Sequence, residues 1–247
     1  MRYFKVLDEN GRSARDQEWP LPEGEGPGQW LPPLEGDLVA YRNGYQVTTT
    51  EQLLQWLGPC IWEVEVRGDV VDAGDETLAR SARIVAPTHW DERTARLFAC
   101  DCAERALRGE RRAGHEPDKR SWDAVRVARS CAEDQATIAG GTPWTVAADV
   151  AHAATEAAAW AAIEEPGWTA DNVVAVAAWD ATAAAWAAKA AAWASAWTDG
   201  AAARAARIAA WGGVDSAAWD AAGADAWQAE QQWQAERLLQ YLDGEVR

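Results

Sequence analysis

The chain lacks any apolar run long enough to cross a bilayer. A spanning helix needs about 20 consecutive apolar residues, and the long alanine runs of these 247 residues are broken by Asp180, Lys189 and Asp199. A transmembrane span is therefore not expected. The opening residues Met1-Arg2-Tyr3-Phe4-Lys5 contain no apolar signal core, which places the expected location in the cytoplasm. Histidine is scarce, and His89, His115 and His152 are scattered without a ligand pattern. Cysteine is scarce too. Cys100 and Cys102 are two residues apart on an expected helix, so they project about 200° from each other. That spacing does not suit joint metal ligation, and with Cys60 and Cys131 they read as small buried side chains. No metal and no cofactor is expected. Phosphate-binding loops, dinucleotide fingerprints, zinc-protease motifs, nucleophile elbows and paired catalytic cysteine and histidine are all missing. Gly24-Glu25-Gly26-Pro27-Gly28 is rich in glycine, but its glutamate repels phosphate and no helix follows.

What is present is acid, alanine and tryptophan. The net charge is −16, and it is unevenly spread. Residues 1–90 carry 15 acids and 8 bases, residues 91–140 carry 10 of each, and residues 141–247 carry 14 acids and 5 bases. Such a field repels a phosphate backbone, so nucleic acid is not the expected partner. The 49% hydrophobic content is enough for a substantial core. The 17 tryptophans are far above ordinary usage, and most read as core. Among the 39 acidic residues a catalytic carboxylate pair could exist, but nothing in the sequence singles one out.

The pattern predicts an α+β chain of two domains. Residues 1–87 form a small mixed sheet domain, and residues 88–247 form an all-α bundle of about six helices rich in alanine and tryptophan. In the first part, Tyr3 to Leu7 reads as a strand ending at the turn Asp8-Glu9-Asn10-Gly11. Residues 20–36 are so rich in proline, glycine and glutamate that an extended loop without regular structure is expected. Leu38 to Arg42 and Tyr45 to Val47 flank Asn43-Gly44, the preferred pair for a two-residue hairpin. Thr49 and Gln52 have the spacing of a capping box that opens a helix to Leu57. Ile61 to Arg67 alternates, with Trp62, Val64 and Val66 on one face and Glu63, Glu65 and Arg67 on the other. Short strands at Val70 to Asp72 and Ala82 to Val85 complete the set. Asp69, Asp72, Asp75 and Glu76 read as solvated turn residues.

After Thr88 the signals are helical. Helices are expected over about 90–107, 121–137, 143–163, 171–198, 201–211 and 215–242, with a charged loop between the first two. Arg129 and Glu133 are four apart and suited to pair on the surface of the second helix. Trp179, Trp186, Trp193 and Trp197 share one face of the fourth, opposite a face of alanine and serine. Asp225, Gln228, Gln232, Glu236 and Asp243 form a polar stripe that assigns one side of the last helix to solvent.

Tyr3-Phe4-Lys5-Val6-Leu7, Asn43-Gly44-Tyr45, Thr50 to Gly58 and Trp62 to Gly68 together resemble a small bacterial and phage domain of unknown function. Relatives of that kind often carry histidine where this chain has Gln46, so any chemistry of that histidine would be absent here. Thr94 to Leu107 and its alanine-rich continuation resemble alanine-rich helical proteins described as immunity proteins. The two resemblances imply a bacterial or phage conflict setting and no defined reaction.

Three functional readings follow. The favoured one is a non-catalytic module that binds a partner protein. The second is a structural, self-associating component that uses exposed tryptophans at subunit contacts. The third is an enzyme with its site beside loop 20–36, since loops on a rigid scaffold often hold sites. Trp19 and Trp30 flank that loop, where burial is least assured, and are the expected partner-binding residues. No catalytic residue is assigned.

Overall fold

The computed structural model describes residues 1–24, 26–112, 116, 119–133 and 224–246. They fall into two compact units: Met1–Asp91 with Leu238–Arg247, and Glu92–Arg237. The expected fold class needs correction. The sheet of the first unit is curled and wholly antiparallel, with a few helices around it, and an all-α bundle of about six helices does not emerge. The described part of residues 92–237 contains only three helical stretches, and the helices expected over 143–163, 171–198 and 201–211 lie outside the described residues. The physical reason is that alanine–tryptophan periodicity speaks to local helix propensity. It does not supply the long-range, shape-specific packing that a bundle requires.

The first unit is built on β1 (Tyr3–Leu7), β2 (Tyr45–Val47), β3 (Cys60–Asp72) and β4 (Thr77–Pro87), in the order β1-β3-β4-β2. β1 pairs with β3 from Tyr3↔Val64 to Leu7↔Cys60, and β2 pairs with β4 from Tyr45↔Ala79 to Val47↔Thr77. A bridge between Phe4 and Thr48, with hydrogen bonds of 2.8 and 2.9 Å, brings the two outer strands together and curls the sheet. β3 and β4 are one long hairpin, where the alternation had indicated three short strands. The ladder survives Gly68-Asp69 because the register shifts there, with Gly68 at φ +80° taking the left-handed conformation that a side chain resists.

One face of the curl carries Leu7, Tyr45, Val47, Val64, Ala82 and Ile84, joined by Trp19 and Leu31 from outside the strands. Trp62 and Val66 pack on the same cluster, as the alternation of β3 predicts. Short helix α1 (Thr50–Leu53) begins at Thr49 with both halves of the capping box made.

Three local expectations change. Asn43-Gly44 does not make a two-residue hairpin. The Asn43 amide donates instead to the carbonyls of Glu35 and Asp37, each at 2.8 Å. Residues 39–43 then close a tight turn with Tyr41 at φ +65°. Glu76 is not solvated: it is 2% exposed and accepts from Gln46 Nε2 at 2.9 Å. The described residues of segment 20–36 have no regular structure, as its composition predicts, but they are tied to the sheet. The backbone N–H groups of Gly28, Leu31 and Leu34 donate to the carbonyls of Ile84, Ala82 and Arg80 at 2.8, 2.9 and 3.0 Å. Every third residue of the strap thus meets every second residue of β4. A Cβ at Gly28 would lie 2.4 Å from the Pro20 carbonyl oxygen, so only glycine fits there.

The helices of the second unit are α2 (Glu92–Arg112), α3 (Lys119–Glu133) and the first part of α4 (Ala224–Leu242). α2 runs five residues beyond its expected end at Leu107. Glu110, Arg111 and Arg112 are good helix formers, and cations near a helix C-terminus suit its dipole. Phe98, Ala99, Cys102, Ala103, Ala106 and Leu107 are buried along it. Gln228, Gln232 and Glu236 of α4 are exposed, in keeping with their polar stripe, while Glu230 and Gln234 are buried. The residues after α4 belong to the first unit. There Gly244, at φ +71°, ends the helix: its N–H reaches the Tyr241 carbonyl, and the Glu245 N–H reaches that of Gln240.

Candidate functional site

The second unit contains a cleft of about 390 Å³ whose polar wall is mostly arginine. α2 supplies Asp101, Glu104, Arg105, Arg108 and Arg112. Each of these positions has another of the set three or four residues away, so they share one stripe about 100° wide on the helix. The stripe is graded, with acids at its first end and arginines at its second. Arg129 comes from α3, and Trp233 and Arg237 come from α4.

At the acidic end the charges are tied down. Asp101 is 9% exposed and accepts from Arg129 at 2.7 Å and from Arg237 at 2.6 Å. Burial works against the charge of Arg129, but the bond to Asp101 and the nearby carboxylates outweigh it, and its pKa is raised. Arg129 also stands 3.6 Å from Glu104 and not against Glu133, its expected surface partner. The half-buried guanidinium turns inward because a nearly buried carboxylate is the stronger attraction. Arg105 bonds to Glu230, which is 4% exposed, and lies over the Trp233 ring at 4.3 Å. A bonded, stacked guanidinium of this kind is held in one orientation.

The other end is different. Arg108 is exposed, and among the described residues its one ion pair, at 3.1 Å, is with Glu104 four residues back. Arg112 is exposed, and among the described residues no carboxylate pairs with it. An exposed pair such as Arg108–Glu104 holds little free energy, roughly 0.3–0.5 kcal/mol, and yields readily to a better acceptor. Two guanidinium groups with donors to spare thus stand one turn apart at the mouth of a preformed cleft. That arrangement can hold an anion.

The two tryptophans expected at a partner surface are placed elsewhere. Trp19 is 1% exposed inside the first unit, edge-on to Tyr45 at 6.1 Å and beneath the Lys5 ammonium at 4.9 Å. It presents no face to a partner. Trp30 is half-buried, with the guanidinium of Arg67 at 4.2 Å and that of Arg83 at 4.7 Å over its ring. Neither residue is part of the cleft. Lys5 itself is buried, donates to the Gln46 carbonyl at 2.7 Å, and is pushed down to about 8 by burial against the opposing pull of Glu76. The cysteines of α2 are fully buried. Burial pushes the Cys100 thiol up to about 12 and Cys102 well above its ordinary value, so neither is a nucleophile at neutral pH.

The charged run after Leu107 has the composition of a loop, which conceals the stripe. The signal available was the spacing of residues 101, 104, 105, 108 and 112, together with the charge balance of residues 91–140 in an otherwise acidic chain. Among the described residues, no helix is long and apolar enough to cross a membrane. Comparison with protein-family models, with curated proteins and with solved structures gives no match.

Proposed function

We propose that this chain is a non-catalytic interaction module that binds a partner protein through an acidic group seated in the arginine cleft. The observation that carries this reading is the pair Arg108 and Arg112, exposed and under-matched at a cleft in a chain of net charge −16. Most of such a chain repels an acidic partner, so attraction is concentrated at this cleft, where among the described residues cations exceed acids. Like-charge repulsion elsewhere then restricts the docking geometry. The resemblance of residues 94–107 to immunity proteins supports a bacterial or phage conflict setting.

The test is affinity capture from a bacterial lysate with the full chain and with the double variant Arg108→Glu/Arg112→Glu, each eluate read by native mass spectrometry. One stoichiometric protein, present with the parent chain and lost with the variant, is the expected result. The same partner captured equally by both would take the cleft out of the interface. A chain that elutes alone would remove the interaction reading.

A further inference from the structure

The donors of the cleft specify more than an anion. Its lining holds five arginines, and among the described residues the carboxylates bonded to them are Asp101, Glu104 and Glu230. Asp101 serves both Arg129 and Arg237, and Glu230 serves Arg105, so among the described residues Glu104 is the carboxylate left to the Arg108–Arg112 end. A single further carboxylate has two oxygens, which match one planar guanidinium fork and not two. A phosphoryl group carries about −1.5 to −2 at neutral pH and three acceptor oxygens, which suits two guanidinium groups approaching from adjacent turns.

The cleft is also larger than a bare phosphate ion. Its 390 Å³ equals the liquid volume of roughly a dozen waters at about 30 Å³ each. Trp233, with Arg105 over its ring, also lines the cleft. The cleft therefore has room for an organic group that carries the phosphoryl. Resting on the interaction reading above, we infer that the cleft recognises a phosphate monoester, presented by the partner as a phosphorylated side chain.

The experiment is isothermal titration of the full chain at fixed ionic strength with four probes. They are a glycine-flanked phosphoserine tripeptide, the same tripeptide with serine, the same with aspartate, and inorganic phosphate. The phosphoserine probe is expected to bind tighter than the aspartate probe by roughly tenfold or more, and the serine probe not at all. Arg108→Gln and Arg112→Gln should each weaken the phosphoserine probe by roughly tenfold, with unchanged melting temperature and circular dichroism. Arg112→Lys should recover only part of the loss, because lysine keeps the charge without the planar fork. Equal binding of the aspartate and phosphoserine probes would overturn the inference, as would no heat from the phosphoserine probe at about 10 mM. Inorganic phosphate binding as tightly as the phosphoserine probe would overturn the ester assignment. Capture from a phosphatase-treated lysate separates this inference from the reading beneath it. A partner still captured, and still lost with Arg108→Glu/Arg112→Glu, keeps the interaction module and rejects the phosphate.

Discussion

The two units treat their cations in opposite ways. In the first unit the cations that bear on the fold are each committed. Arg2 is held by Glu63 and by both oxygens of Asp243, Arg80 by Asp69 and two carbonyls, and Arg83 by Glu65 and the face of Trp30. Lys5 is enclosed. In the second unit Arg129 and Arg237 share one carboxylate, while Arg108 and Arg112 remain open to solvent. The contrast teaches which charges build and which wait. A cation whose donors are used by the fold contributes order. A cation with donors left over, beside a cavity, is available to a ligand.

Asp101 is where the second unit most resembles the first, so breaking it should have the largest effect. Asp101→Ala leaves two partly buried guanidinium groups facing each other without their shared acceptor. The expected loss is about 3–5 kcal/mol, read as a lower urea midpoint. A loss below about 1 kcal/mol would mean that Asp101 is not an organising centre and that the arginines re-pair cheaply.

Lys5 sharpens the comparison from the other side. Its value in the folded chain, about 8, lies below its ordinary 10.5. Below pH 8 both states are protonated, and the full cost of burying the ammonium weighs on the fold. Between pH 8 and 10.5 the folded chain sheds the proton first, so the share of stability due to Lys5 rises with pH. Glu76 opposes this shift and Arg15 reinforces it. The difference in unfolding free energy between Lys5→Met and the parent chain should therefore fall, by on the order of 3 kcal/mol, as pH rises across that window. A difference that does not change with pH would show that Lys5 carries no such cost.

The strap tests whether the first unit depends on backbone as much as on charge. Gly28→Ala places a methyl group against the Pro20 carbonyl oxygen and must displace one of two backbone segments. A loss of roughly 1–3 kcal/mol is expected, with faster amide exchange at Gly28, Leu31 and Leu34. A neutral Gly28→Ala would mean that the strap detaches at no cost.

The parts of this fold that were legible in the sequence are the local ones. Thr49 and Gln52 announce their capping box, Tyr3 to Leu7 its strand, and the alternation through Trp62, Val64 and Val66 its buried face. Each signal lies within a few residues, on the scale at which period and turn chemistry act. What the sequence concealed depends on distant partners. Asn43 is diverted by the carbonyls of Glu35 and Asp37, and Glu76 is drawn inside by Gln46. Trp19, beside a loop of proline and glycine, is buried because the strap folds back over the sheet. The cleft lies between these cases. Its α2 stripe follows from spacing only once the helix is known to run on to Arg112, and Arg129, Trp233 and Arg237 join it only through tertiary packing.

The smallest effect on stability is also the most discriminating. Arg112→Gln removes a charge from an exposed side chain that no described carboxylate holds, near the end of a helix. Its loss there should cost no more than about 0.5 kcal/mol, and its melting curve should overlay that of the parent chain. If Arg112 were structural in the manner of Arg2 or Arg80, stability and anion binding would fall together. If it is a waiting charge, only binding falls, and the dependence of log Kd on log salt becomes shallower because one cation fewer meets the ligand. Measuring both quantities on one variant therefore decides between order and availability for that residue. Arg108→Gln provides the control, since its one weak bond to Glu104 should add only a few tenths of a kcal/mol to the cost in stability while the loss in binding stays as large.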